Sequence, residues 1–210
     1  MGGCMSQQEI EEFEPNDENP VAVFDTTMGT FKAEIFLDRV PLTASNFIDL
    51  CKTGFYDGIH FHRVIPGFMC QFGCPHAKDP TDKRAGRGGA PPNSEFKNLL
   101  SGTTEKRSNG GKIEDEFESL DTNRPGSLSM ANTGRPNSGG SQFFFNVAQN
   151  SNLDWFTPGN AKHVCFGQII EGYSVLVDIS KVPTQRDAPI EPIRMKSVTI
   201  LMSSGEGEDD

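Results

Sequence analysis

One short stretch of the chain, FHRVIPGFMCQFG at residues 61–73, mixes apolar side chains with groups that could do chemistry. Arg63 and Gln71 stand among Phe, Val, Ile and Met residues, and His62 precedes the arginine. An unpaired charge is very costly to bury, so we expect Arg63 to face a cleft that uses its guanidinium group.

The same stretch supplies the apolar side of that cleft. Strand alternation places Met69 and Gln71 on one face, and the irregular Pro66-Gly67 step lets Phe68 join them. We therefore predict a groove that combines an apolar surface with a few polar arms.

Metal chemistry is not indicated by the cysteines and histidines. Cys70, Cys74 and His76 lie close together in the sequence. A structural zinc site needs four ligands, however, and no second pair follows at a workable spacing. We predict no metal and no cofactor.

The elements that position the groove are short strands and two helices. Two extended runs flank a Met28-Gly29 turn, and the second run alternates apolar and charged residues in the period of a half-buried strand. A helix is predicted from Pro41 to just before Gly54. Its apolar face consists of Ala44, Phe47, Ile48 and Cys51.

The rest of the chain adds further strands, one more helix and a long loop. Strand patterns occur at 126–134, 140–148 and 195–201, and a second helix at 171–182 places Val175, Leu176 and Ile179 inward. Residues 74–112 are rich in Gly and Pro and predict a loop insertion. With no alternation of strands and helices, a closed antiparallel barrel capped by helices fits best.

Charge is concentrated at the two ends of the chain. The net charge is −10, but ten of the 29 acidic residues lie in 1–20 and 203–210, which contain no Lys or Arg. The remaining 19 acidic residues balance the 19 basic ones, which disfavours nucleic-acid binding. Five irregularly spaced cysteines suggest free thiols in a reducing compartment, and no stretch is apolar enough to span a membrane. A cytoplasmic protein is predicted.

Three motifs occur in order: FHRVIPGFMCQFG (61–73), LSMANTGRPNSGGSQFFF (128–145) and KHVCFGQII (162–170). Together they resemble the cyclophilins, the cyclosporin-binding family of peptidyl-prolyl cis-trans isomerases. The resemblance implies a mainly β fold, a closed eight-stranded antiparallel barrel capped by two helices, with a substrate groove outside it. It implies a monomeric rotamase that acts on proline-containing peptides and proteins and assists protein folding, as a chaperone, or proline-dependent switching. The alternative is a proline-peptide binding module with incidental turnover.

The resemblance also implies roles for individual residues. Arg63 would be the catalytic donor, with His62 as its supporting neighbour. The remaining substrate-binding set implied by the family is Phe68, Met69, Gln71, Ala131, Asn132, Thr133, Gln142, Phe144, Asn152, Leu153 and His163.

The sequence departs from the family pattern around the groove. Asn152 stands where many members carry the Trp that contacts cyclosporin, and Trp155 follows only after Leu153-Asp154. An additional Arg135 enters the TGRPN stretch, and the loop before His163 is longer. We therefore expect cyclosporin to bind with reduced affinity.

The chain is predicted to contain three parts. They are a flexible acidic arm (1–19), a cyclophilin-type isomerase domain (20–202, with the 74–112 insertion) and an acidic tail (203–210). The arm begins MGGCMS, a pattern in which Gly2 can be myristoylated and Cys4 palmitoylated. Two readings stay open: a wholly cytosolic protein, and one held at a membrane by acyl chains.

Acylation has a direct test. One myristoyl chain gives only marginal membrane binding, and an acidic arm is repelled by an anionic leaflet, so stable anchoring needs both Gly2 and Cys4 modified. Mass spectrometry of protein from its native cell should find both acyl groups if the protein is anchored. An unmodified N-terminal peptide throughout would leave the cytosolic reading.

Overall fold

The computed structural model describes residues 13–202, which form mainly β structure with two helices, as predicted. The helices are α1 (Pro41–Lys52) and α2 (Tyr173–Ser180). The strands are β1 (Val21–Thr26), β2 (Gly29–Ile35), β3 (Arg63–Ile65), β4 (Met69–Phe72), β5 (Glu95–Lys97), β6 (Thr104–Lys106), β7 (Ser127–Met130), β8 (Phe143–Asn146), β9 (Cys165–Glu171), β10 (Thr184–Gln185), β11 (Ala188–Pro189) and β12 (Met195–Leu201). Short 3₁₀ helices occur at Pro75–Lys78 and Ser151–Leu153.

Eight strands make one antiparallel sheet in the order β12-β1-β2-β9-β7-β8-β4-β3. The closed barrel expected from the sequence is not formed, because β12 and β3 are edge strands that do not pair with each other. Between them, residues 58–61 and 193–195 share only an isolated bridge and a few backbone hydrogen bonds. The sheet is therefore an open half-barrel.

Phenylalanine rings fill the concave side of the sheet. The fully buried ring of Phe145 on β8 makes edge contacts at 5.3 Å with Phe24, Phe31 and Phe143. Phe47 of α1 adds a further edge contact with Phe143 at 5.4 Å. Edge-to-face geometry is the preferred arrangement of aromatic pairs, so the rings set the positions of the strands that carry them.

Both helices bury the faces that the sequence indicates. In α1, Pro41 is the first residue, and the predicted apolar positions Ala44, Phe47, Ile48 and Cys51 are all buried. In α2, Leu176 and Ile179 are fully buried, while Val175 is only partly buried. The helix predictions are confirmed.

The segment 74–112 is less irregular than predicted, because it contains the β5–β6 hairpin. Arg107 anchors this segment to α1: it is 2% exposed and donates to Asn46 at 2.8 Å and to Asp49 at 2.7 Å. Its guanidinium also lies over the Phe96 ring at 4.6 Å. Because each strand has three residues, the hairpin is too short to show a period in the sequence.

Part of the predicted flexible arm lies against the sheet. Phe13 packs on Phe36, with ring centroids 6.1 Å apart, and Asn19 donates to Glu34 at 2.7 Å and to Asp38 at 2.8 Å. Of the predicted arm, Phe13 and Asn19 thus contact the body of the protein. The acylation positions Gly2 and Cys4 and the acidic tail (203–210) lie outside the described residues.

Helices α1 and α2 contain 12 and 8 residues. A bilayer-spanning helix needs about 20 mainly apolar residues. Within residues 13–202, accordingly, no helix has the length and apolar character to cross a membrane.

Replacing the central ring tests the importance of the aromatic core. Phe145→Ala should lower the free energy of unfolding by about 3–5 kcal/mol, because it removes a fully buried ring and leaves a cavity. The matched control Phe156→Ala, at a position 38% exposed, should cost less than about 1 kcal/mol. Urea unfolding of the three proteins measures both values, and equal stabilities would contradict this account of the core.

Candidate active site

A pocket of about 250 Å³ opens on the face of β4 and β8 that points away from the core. Side chains alternate along a strand, so Phe143 and Phe145 enter the core while Phe144, between them, faces the pocket. We call this the apolar pocket. It is lined by Arg63, Phe68, Met69, Gln71, Ala131, Asn132, Phe144, Leu153 and His163.

One wall of the apolar pocket is formed by an ordered histidine. The His163 ring meets Phe144 edge-on at 5.2 Å, and its Nδ1 lies 2.8 Å from the carbonyl oxygen of Met130. Since a carbonyl only accepts, Nδ1 carries the hydrogen. Burial lowers the pKa of His163, so the ring is neutral near pH 7 and adds no charge to the wall.

Arg63 supplies the permanent charge at the rim of the apolar pocket. It is the first residue of β3, and 45% of its side chain is exposed. Its Nε lies 3.6 Å from a carboxylate oxygen of Asp187. This long, half-exposed ion pair leaves most of the guanidinium donors available.

A tight turn holds Asp187 beside Arg63. Strands β10 and β11 form a hairpin whose turn residues Arg186 and Asp187 have φ values of 52° and 65°. The Asp187 carbonyl accepts the backbone N–H of Val64 at 2.7 Å. The hairpin is thus fixed to β3, and it limits where the Arg63 side chain can go.

Two glutamines form the polar side of the site. Gln71 donates to the side-chain oxygen of Gln142 at 3.1 Å. Gln142 in turn donates to the carbonyl oxygens of Gly86 and Gly88 at 3.0 and 2.7 Å. The 74–112 segment therefore holds Gln142, and Gln142 holds the side chain of Gln71, which lies opposite Arg63 in the strand register.

Asn132 sits where three pockets adjoin. Its side chain donates to the carbonyl oxygen of Lys162 at 2.6 Å, which leaves its own carbonyl oxygen to accept the backbone N–H of Gly134 at 2.9 Å. It lines the apolar pocket, a neighbouring pocket of about 90 Å³ and a third, larger one. Thr133 and Gln142 line the 90 Å³ neighbour rather than the apolar pocket.

Two of the residues proposed from sequence are not brought to these pockets. His62 is partly buried, with its ring against Gly86: both ring nitrogens are inaccessible to solvent, and burial is the main reason that its pKa falls to about 4, with the nearby His60 and Arg63 adding to the effect. Asn152 is exposed and lines neither the apolar pocket nor its 90 Å³ neighbour.

Other residues at the site were missed by sequence reasoning. Asp187 reaches Arg63 across more than a hundred positions, and Lys112 reaches the 90 Å³ pocket from the loop region.

Trp155 packs away from the apolar pocket. Its indole donates to the Ser119 carbonyl at 2.7 Å, and its ring stacks on Phe117 at 5.4 Å. None of these contacts has a local sequence signal, because each depends on how distant segments meet.

The site can bind a ligand and present a positive charge to it, but the thiol of Cys70 and the hydroxyl of Ser141 are not activated nucleophiles. Burial raises the pKa of Cys70, behind the pocket strand, to about 12, so its thiol is not a nucleophile near pH 7. The hydroxyl of Ser141 is buried and donates to the Gly73 carbonyl at 2.8 Å. Residues 13–202 contain no group of three His, Cys, Asp or Glu side chains suited to a metal ion.

Comparison with known proteins places this geometry in a family context. The family model described as "Cyclophilin type peptidyl-prolyl cis-trans isomerase/CLD" matches residues 21–200. The chain is similar to peptidyl-prolyl cis-trans isomerase-like 3 of Rhizopus delemar, with 41% identity over 179 residues, 83% of this chain and 91% of the relative. It is 38% identical to the human protein of the same name over 178 residues, which cover 83% and 92% of the two chains.

Solved structures agree with the sequence comparisons. A crystal structure of a Cryptosporidium parvum cyclophilin type peptidyl-prolyl cis-trans isomerase superimposes with a TM-score of 0.70 at 28% identity, covering 87% of this chain and 98% of the other. A second structure of that protein, in the presence of the dipeptide Ala-Pro, gives a TM-score of 0.68 at 28% identity and covers 86% and 98%.

Burial of the His62 ring nitrogens makes a prediction about the pH dependence of stability. Its pKa is about 4 in the folded protein, against about 6.5 in an unfolded chain. Above both values the ring is neutral in both states. As pH falls from 6.5 towards 4 the unfolded chain alone binds the proton, so stability is lost, by up to about 3 kcal/mol.

Urea unfolding of the parent and of His62→Gln measures this effect. Between about pH 7 and pH 4.5, the parent should lose about 2–3 kcal/mol more than the variant. His163 is present in both proteins, so its contribution cancels. His60 interacts with His62, so the loss of that repulsion is counted within the His62 effect. Identical pH dependences would show that His62 is not buried as described.

Proposed function

The chain belongs to the cyclophilin family of peptidyl-prolyl cis-trans isomerases and is itself such an isomerase, and from this premise we propose that the apolar pocket is where it rotates X–Pro bonds. The observation that carries the proposal is the position of Arg63. Its guanidinium stands at the rim of a pocket of about 250 Å³, and its ion pair within residues 13–202 is the long one with Asp187.

The reaction requires the enzyme to favour a twisted amide. Resonance makes the peptide bond planar, with a rotation barrier of about 18–20 kcal/mol. When the bond twists, resonance is lost and the prolyl nitrogen regains its lone pair. A guanidinium N–H that donates to this nitrogen stabilises the twisted form more than either planar form. This is differential binding of the transition state, with no covalent step.

The other residues hold the substrate for Arg63. The apolar side chains of Phe68, Met69, Phe144 and Leu153 would surround the proline ring, with the neutral His163 ring at the edge. Gln71, kept in place by Gln142, would orient Arg63 or the peptide. Asn132, flanked by Ala131 and Thr133, would contact the peptide backbone next to the X–Pro bond.

His62 has a structural role in this proposal rather than a chemical one. With its ring nitrogens buried and its pKa near 4, it can neither donate to the substrate nor serve as a base in the pocket. The proposed mechanism needs no proton transfer, so a purely structural role for His62 is compatible with it.

Several expectations from the sequence stay proposals. The four cysteines within residues 13–202 are free and buried, which supports a reducing, cytoplasmic location. Proline-containing peptides and proteins are the proposed substrates, and a monomer is the proposed state, because residues 58–61 and 193–195 cover the gap between the edge strands. Membrane attachment through acylation of Gly2 and Cys4 is proposed in addition to the cytoplasmic location.

Removing the guanidinium tests the mechanism. Arg63→Ala keeps the pocket, so kcat/KM for an X–Pro peptide in a protease-coupled assay should fall about a hundredfold, which corresponds to roughly 2.7 kcal/mol of transition-state stabilisation. The control Arg186→Ala removes an equal charge from the adjacent hairpin turn and should stay within about twofold of the parent. A chelator should change neither rate. If Arg63→Ala is as fast as the parent, the assignment of Arg63 is wrong.

Cyclosporin should bind more weakly than it does to family members that carry the Trp. Asn152 offers no indole surface, and Trp155 is committed to Phe117 and Ser119, so it does not replace that Trp. Titration of the drug against isomerase activity measures the affinity. Asn152→Trp should tighten inhibition, and Trp155→Ala should leave it unchanged. Tight inhibition of the parent would contradict this prediction.

A further inference from the structure

A second, larger pocket lies beside the apolar pocket and shares Asn132 with it. Its volume is about 590 Å³. Two loops that depart from the usual family sequence contribute most of its surface, one around Arg135 and one that precedes His163. We call it the basic pocket. It is lined by Asp115, Phe117, Asn132, Gly134, Arg135, Pro136, Gly159, Asn160 and Lys162.

Two cations in the basic pocket have no charged partner within residues 13–202. Arg135 and Lys162 are both exposed, and neither makes an ion pair in that part of the chain. The Lys162 ammonium lies 5.8 Å from the centre of the Phe117 ring. That ring is stacked on Trp155, so the wall below the lysine is fixed.

The single carboxylate in the basic pocket already serves the loop. Asp115 accepts the backbone N–H of Asn137 at 2.7 Å, and the side-chain oxygen of Asn137 accepts the backbone N–H of Asp115 at 2.9 Å. This reciprocal pair closes the loop that carries Arg135 against residue 115. Asp115 therefore offsets part of the positive charge but does not pair directly with either cation.

The charge around Asn132 is opposite to that of the whole chain. The adjoining 90 Å³ pocket contains a further cation, Lys112, and the apolar pocket contains Arg63. The full chain nevertheless has a net charge of −10. Among the residues that line the three pockets, four cations outnumber the one carboxylate. A cleft with an excess of positive charge raises the local concentration of anionic ligands, although the whole chain is acidic.

We propose that the basic pocket binds an anionic side chain of the substrate, a carboxylate or a phosphate, near the X–Pro bond. A peptide with its proline in the apolar pocket enters the basic pocket as it passes Asn132. Arg135 can form a bidentate ion pair with either anion, and Lys162 adds a second positive charge. The inference rests on the proposed function, because the apolar pocket places the peptide.

Matched peptides test this selectivity. Each peptide carries Glu, phosphoserine, Gln or Lys at one of several successive positions before or after the X–Pro unit. At one position, kcat/KM at low ionic strength should be about tenfold higher for Glu than for Gln, and lower for Lys. The Glu and phosphoserine peptides distinguish a carboxylate from a phosphate ligand, and a preference for either supports the proposal.

Two double variants assign the preference to the basic pocket. In Arg135→Gln/Lys162→Gln the ratio of Glu to Gln peptides should fall to within about twofold. Lys52→Gln/Lys97→Gln removes the same charge from a different pocket, beside α1, and should keep the parent's ratio. A preference that survives the first double variant, or no preference at any position, overturns the inference.

Turnover of the neutral Gln peptide keeps this inference separate from the proposed function. The parent and both double variants should isomerise it at similar rates, because none of these changes touches the apolar pocket. Dissociation constants from NMR titration of the same peptides give a second readout. If the parent does not turn over the Gln peptide, the proposed function fails. The inference is then judged from the dissociation constants alone, and equal affinity for the Glu and Gln peptides overturns it.

Discussion

The candidate active site depends on the register between three neighbouring strands. Arg63 on β3 lies opposite Gln71 on β4, and Gln71 lies opposite Phe144 on β8. In the same ladders Cys70 pairs with Phe145, whose ring is at the centre of the core. A slip of one residue would exchange the pocket and core faces. The aromatic core therefore fixes the register, and the register places cation, amide and apolar ring side by side.

Burial keeps two histidines and a cysteine in and around the apolar pocket uncharged near pH 7. The lowered pKa values of His62 and His163 keep both rings neutral near pH 7, and the buried thiol of Cys70 stays protonated. Arg63 is then the one permanently charged group among the residues that line the pocket. Its half-exposed pair with Asp187 is of a kind that contributes about 0–1 kcal/mol, so a substrate can compete for the guanidinium at little cost.

Much of the fold follows from local pattern, and the rest does not. The alternation in β2, the apolar face of α1 and the broken strand at Pro66-Gly67 were readable because each signal lies within a few residues. Closure of the barrel was predicted wrongly, since it depends on whether the two edge strands meet. The β5–β6 hairpin was missed because its stability comes from Arg107 reaching α1, a contact that no short pattern encodes. The resemblance to the family supplied the candidate site residues. It did not indicate that Asp187 pairs with Arg63, or that Trp155 packs on Phe117.

The central claim is that Arg63 acts on the twisted amide and not on the bound planar peptide. Exchange NMR with a labelled X–Pro peptide can measure the dissociation constant and the on-enzyme cis-trans rate separately, for the parent and for Arg63→Ala. The account predicts that affinity changes by less than about threefold while the on-enzyme rate falls about a hundredfold. An unchanged rate, or a loss of affinity as large as the loss of rate, would contradict it.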